Sequence, residues 1–113
     1  DGFAVLFTGD IGCETEERLL SNRTALRAAV LKVAHHGSRR SSSEPFLAAV
    51  GPSCALIGAG FENSFHLPSP EALSRLRMCG ARVFRTDLDG TVTVRYRKGK
   101  WNVTTYRQAG HFH

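Results

Sequence analysis

Four short strand-like runs, apolar at residues 3–8, 29–34 and 54–57 and mixed at Val83-Phe-Arg-Thr86, constrain this chain more than any other feature, because each stops at polar residues and helical stretches separate them. Short continuous apolar runs suit strands covered on both faces. Between the first two, Thr15 precedes Glu16-Glu17-Arg18-Leu19-Leu20, with acids in the first turn where the helix dipole favours them, and Ser21-Asn22 closes the helix. Ser43 can cap a helix through Val50, with Pro45 early where its missing N–H does no harm and Gly51-Pro52 as the stop. Ser69-Pro70-Glu71 opens a third helix that runs to about Met78 and closes at Gly80. After the fourth run, Asp89-Gly90 makes a turn into a strictly alternating stretch, 91–97, and Lys98-Gly99-Lys100 turns that strand into 101–107. The fold class is therefore α/β: strands alternating with helices, then a C-terminal β-hairpin.

The chain has 113 residues, so two independent domains are excluded. No run approaches the ~18 apolar residues of a membrane span, and residues 1–10 lack the basic start of a signal peptide. The first strand begins at Phe3 with almost no lead-in, as if cut from something longer. Cys13, Cys54 and Cys79 are odd in number and widely spaced, which argues against a disulfide framework or a CxxC zinc site and reads as structural filler.

Charge is distributed unevenly. Residues 1–56 carry six basic and six acidic side chains, whereas 57–113 carry nine basic and four acidic, so the whole net charge of +5 lies in the second half. Much of it falls in the hairpin and tail, 95–113, at Arg95, Arg97, Lys98, Lys100 and Arg107. Such a basic ribbon attracts phosphate-rich polymers. On charge alone the favoured reading is a solvated hairpin face whose charges discourage edge pairing.

Candidate chemistry sits after the strands. Thr8-Gly9-Asp10 follows the first and His35-His36-Gly37-Ser38 the second. A carboxylate and an imidazole just past the ends of neighbouring strands can converge on one cation, although alone each reads as a turn or cap residue and as polar filler. Gly37 allows close backbone approach, and Ser38 can hold an imidazole or contact a phosphate. The third strand end, 58–68, contains Asn63 and His66 and fits either a site loop or a plain glycine-rich connection.

Five elements occur in order: Leu6-Phe-Thr-Gly-Asp-Ile11, Val30-Leu-Lys-Val-Ala-His-His-Gly-Ser38, Pro45-Phe-Leu-Ala-Ala-Val-Gly-Pro52, the Asn63 loop before Pro68-Ser-Pro-Glu71, and Val83-Phe-Arg-Thr-Asp-Leu-Asp-Gly90. The series resembles the C-terminal metallo-β-lactamase-like domain of the ComEC family of competence proteins, from about Phe3 to Val94. The resemblance implies one half, the C-terminal half, of a metallo-β-lactamase αββα sandwich, in which 1–113 is a single partial domain. It also implies a dinuclear metal centre, zinc or manganese, in the complete domain. Asp10 would bridge the two metals, and a histidine of the pair, His35 in preference to His36, would complete the second. Asp10, His36, Ser38, Asn63 and His66 then form the expected catalytic set, acting on DNA, in single-stranded form. The missing N-terminal half of the domain would be a further partner, and the parent protein would sit in the cell membrane with this domain extracytoplasmic.

Two departures accompany the resemblance. The superfamily's His-x-His-x-Asp-His motif is absent, and His111-Phe-His113 reads as tail. In the loop Asn63-Ser-Phe-His-Leu-Pro68 the histidine stands one position early, with Leu67 in its usual place. The leading expectation is a metal-dependent phosphodiesterase or nuclease of DNA uptake and natural transformation, inactive as the isolated chain and itself soluble. The alternatives are a hydrolase of small phosphoesters or other esters on the same fold, and a non-catalytic DNA-binding module with a decayed metal site.

Overall fold

The computed structural model describes residues 3–22, 25–34, 37–58 and 68–106. The elements run β1 (Val5–Phe7), α1 (Cys13–Ser21), β2 (Val30–Lys32), α2 (Glu44–Val50), β3 (Cys54–Ile57), α3 (Pro70–Met78), β4 (Arg82–Arg85), α4 (Thr86–Asp89), β5 (Val92–Arg97) and β6 (Lys100–Thr105). Strands β1 to β4 form one sheet in the order β1-β2-β3-β4, every pair parallel, and β5 and β6 form a separate antiparallel hairpin. None of the described helices is long and apolar enough to cross a membrane.

Register divides the sheet into two faces. Leu6, Leu31, Ala55 and Val83 align across it and pack with Leu19 and Leu20 of α1, Phe46, Leu47 and Val50 of α2, and Leu73 and Leu76 of α3. All three helices thus cover one face, as right-handed crossovers in a sequentially ordered parallel sheet require. The neighbouring row, Val5, Val30 and Cys54, turns the opposite way and meets Val92, Val94, Trp101 and Val103 of the hairpin. The result is three layers: helices, parallel sheet, hairpin.

Local chemistry explains the boundaries. Ser43 and Ser69 cap α2 and α3, each hydroxyl accepting a hydrogen bond from the backbone N–H three residues on, at Phe46 and Ala72. Gly51 ends α2 at φ 60, in the left-handed region that favours glycine. The hairpin turns through Lys98 and Gly99 at φ 52 and 78, the positive pair that matches strand twist.

Several expectations change. α1 starts at Cys13 rather than after Thr15, because Gly12 caps it by backbone geometry with no side-chain oxygen. A single helical turn, α4, stands where a plain turn was expected; the Asp89 carboxylate accepts from the Arg85 N–H at 2.8 Å and closes it. β1 is an edge strand with cover on both faces at Leu6 and Val5, as expected, but that cover stops at its last residue: Phe7 is 76% exposed. Cys54 is buried filler as expected, but Cys13 and Cys79 are exposed, and all three thiols are free.

Candidate functional site

In a parallel sheet every strand points the same way, so the connections that follow β1, β2, β3 and β4 gather along one edge. Asp10 stands there, exposed, in the turn after β1, where the Ile11 N–H donates to the Thr8 carbonyl at 3.2 Å. Buried Thr8 donates its hydroxyl to the Lys32 carbonyl and so ties the end of β1 to the end of β2.

Gly37 and Ser38 follow β2 on the same edge. The Gly37 N–H donates to Ala34 O at 3.0 Å, and its own carbonyl accepts from Ser69 N–H at 2.8 Å, which draws the start of α3 against it. A Cβ on residue 37 would lie 2.4 Å from Pro68 Cβ, and the backbone holds φ 88, so glycine is required there on two counts. Ser38 is half-buried, and its Oγ accepts from Arg40 N–H at 3.1 Å.

The next residues stitch the edge together. Ser41 Oγ donates to the Ile11 carbonyl at 2.7 Å, and the Cys13 N–H donates to the Arg40 carbonyl at 3.0 Å. The structure therefore brings the Asp10 turn and the Gly37-Ser38 segment onto adjacent strand ends and bonds their flanks. His35, His36, Asn63 and His66 lie outside the described residues, as do Leu67, Arg107 and the 111–113 tail. Among the described residues no group of three metal-ligating side chains is present. A carboxylate at Asp10 and an imidazole at position 35 or 36, between Ala34 and Gly37, are donors that zinc or manganese accept, so the donor set fits part of such a centre.

Sequence reasoning missed three contributors to this edge. Glu16 looked like a first-turn acid and is wholly buried; Arg75, which the sequence did not single out within its helix, donates into the 39–42 backbone. Arg85 makes a two-pronged bond to Asp87 at 2.7 and 3.1 Å, holding the connection after β4.

The basic hairpin occupies a different place. Arg95, Arg97, Lys100 and Asn102 share its outer face with Thr93 and Thr104, by register. Phe3 stacks on Tyr96 with ring centroids 4.8 Å apart and lies 5.5 Å from Trp101. The basic tip therefore sits over the amino end of β1, while Asp10 leaves its carboxyl end. Among the described residues Arg95, Arg97, Lys98 and Lys100 carry no ion pair.

An α/β sheet with polar connections gathered on one edge and a hairpin layered beneath is the class that this geometry defines. The chain is related in sequence to proteins named for competence. It is 36% identical over 105 residues to ComE operon protein 3 of Bacillus subtilis, covering 93% of this chain and 14% of that protein. It is 39% identical over 92 residues to competence protein ComA of Neisseria gonorrhoeae, covering 80% of this chain and 13% of that protein. Recombination protein 2 of Haemophilus influenzae is 36% identical over 93 residues, 82% of this chain and 12% of that protein. The chain thus spans 12–14% of the length of these relatives. No protein-family model and no solved structure matches it.

Proposed function

We propose that this chain is the C-terminal half of a metallo-β-lactamase-like hydrolase domain in a ComEC-type competence protein, and that the domain cleaves nucleic-acid phosphodiesters during DNA uptake. The observation that carries this reading is the joining of the Asp10 turn to the Gly37-Ser38 segment on adjacent parallel strand ends, through Thr8 Oγ1 to Lys32 O and Ser41 Oγ to Ile11 O. Relatives named for competence supply the biological setting. The three layers, helices on a parallel sheet on a hairpin, are compatible with one side of an αββα sandwich.

In this reading Asp10 and one of His35 and His36 hold part of a zinc or manganese pair, with the remaining ligands on residues outside 1–113. The metals would supply a hydroxide at neutral pH and positive charge for the phosphoryl oxygens. Ser38, Asn63 and His66 would orient the substrate beside them, and the basic hairpin would contact the nucleic-acid backbone at a distance from the site. Membrane attachment would belong to the parent protein, with this domain on the extracytoplasmic side.

The experiment is hydrolysis of a model phosphodiester by the full-length protein with added zinc or manganese. Activity is expected, with Asp10→Asn lowering it at least about 100-fold, and none is expected from 1–113 alone. Hydrolysis by the isolated 113 residues at the full-length rate would overturn the ligand assignment. A second reading, a nucleic-acid-binding module without hydrolysis, is favoured by the hairpin's basic tip lying away from Asp10. It predicts salt-sensitive DNA binding and no turnover with either metal.

A further inference from the structure

The stretch 38–43 is polar in sequence, yet Ser41 is 0% and Ser42 2% exposed. Buried backbone of this kind must find partners, and here side chains from two distant elements provide them. The fully buried Glu16 carboxylate of α1 accepts from the Ser42 N–H at 2.6 Å and from the Ser43 N–H at 2.9 Å. Arg75 of α3 donates through Nε to the Ser42 carbonyl at 2.9 Å, and through Nη2 to the Ser41 and Arg39 carbonyls at 2.9 and 3.0 Å. Between these two clamps Ser42 is held at φ 59, a conformation that a non-glycine residue keeps only when its surroundings over-determine it.

The clamped loop passes its position on. Ser41 Oγ bonds the Ile11 carbonyl, immediately after Asp10, and the Arg40 carbonyl receives the Cys13 N–H. On the other side of Asp10, Thr8 is fixed to β2 through its hydroxyl. Asp10 is thus suspended between a strand end and a loop whose own place is set by one carboxylate and one guanidinium. We infer that Glu16 and Arg75 are positioning residues, which place Asp10 as a metal ligand by way of Ser41 and Arg40. This inference rests on the proposal that Asp10 is a metal ligand. A ligand must be held to within about 0.5 Å; hydrogen bonds made directly to a ligating side chain govern metal affinity about 10–100-fold, and by extension the same range is expected of supports that act through backbone.

The test measures zinc and manganese affinity of the full-length protein by calorimetry, together with amide hydrogen exchange at residues 42 and 43 and the melting temperature. Glu16→Gln and Ser41→Ala are expected to weaken metal binding about 10–100-fold, with faster exchange at 42 and 43 in Glu16→Gln. Val103→Ala, which loosens the hairpin layer far from the loop, is expected to lower the melting temperature while leaving metal affinity unchanged. Wild-type affinity in Glu16→Gln, alongside accelerated exchange, would reduce the clamp to a structural role and leave the ligand role of Asp10 standing. Absence of metal binding by the wild-type protein would overturn the functional proposal and this inference with it. Should Glu16→Gln fail to fold, Ser41→Ala, which removes one hydroxyl, decides: unchanged metal affinity there overturns the inference.

Discussion

The loop 38–43 and the hairpin tip 97–100 are both short, polar and rich in cationic or hydroxyl side chains, yet the molecule uses them in opposite ways. In the loop, polarity is turned inward, and side chains from α1 and α3 satisfy its amides and carbonyls. At the tip, polarity is turned outward: Arg97, Lys98 and Lys100 are exposed, and the two-residue turn between strands sets their backbone. A buried polar segment is specified by partners far away in sequence and loses much when one is removed. An exposed polar segment is specified locally, and its side chains are left for long-range electrostatics.

That contrast fixes an order of expected effects. Gly37→Ala, at the root of the loop, forces a Cβ into Pro68 at a positive φ and should cost about 4 kcal/mol in urea unfolding. Glu16→Ala strands two N–H donors, one buried at Ser42 and one part-buried at Ser43, and should cost about 3 kcal/mol by the same measurement. Val103→Ala, in the apolar layer beneath the hairpin, should cost about 2 kcal/mol. The double change Arg97→Ala with Lys100→Ala should shift stability by less than about 0.5 kcal/mol. If the hairpin contacts nucleic acid, that pair should instead reduce the slope of log affinity against log salt by about 1.5. A large stability loss from the double change would erase the distinction between loop and tip.

The smallest effect concerns thiols. Burial pushes the Cys54 thiol, under the hairpin, up to about 12 from 9.0, with nearby Arg82 pulling the other way. Partial burial and the Glu16 carboxylate raise that of Cys13, beside the loop. Because the folded pKa of Cys54 lies above its ordinary value, the stability linked to its protonated form is complete below pH 9 and is lost as pH rises from 9 toward 12. Alkylation of the native protein at pH 8.5, read by mass, should label Cys13 and Cys79 and spare Cys54.

What the sequence made legible follows the range of each interaction. Ser43, Ser69 and Gly51 act on backbone within three or four residues, so the second and third helices could be placed from composition. The α/β class followed from strand and helix alternation, and the gathering of Asp10 and Gly37-Ser38 on one edge followed from parallel strands; the hairpin's place on the face opposite the helices did not. The start of α1 was lost because Gly12 caps without a side chain, and α4 because a four-residue helix reads as a turn. Glu16 and Arg75 were invisible for a deeper reason: their partners lie 26 to 36 positions away, and nothing local distinguishes a buried acid at a helix start from a solvated one.

The stacking of Phe3 on Tyr96 bears on the time course of folding. Every strand of the parallel sheet neighbours its predecessor in the chain, so each βα unit can add to the one already formed with a short closure. The Phe3–Tyr96 contact instead joins the first described residue to the last hairpin, and closing a loop of that length costs roughly 4 kcal/mol of chain entropy before any contact is gained. If hairpin docking comes late, the apolar underside of the sheet, around Val5, Val30 and Cys54, is open to solvent until then, and pulse-labelling hydrogen exchange should protect β5 and β6 after β1 to β4.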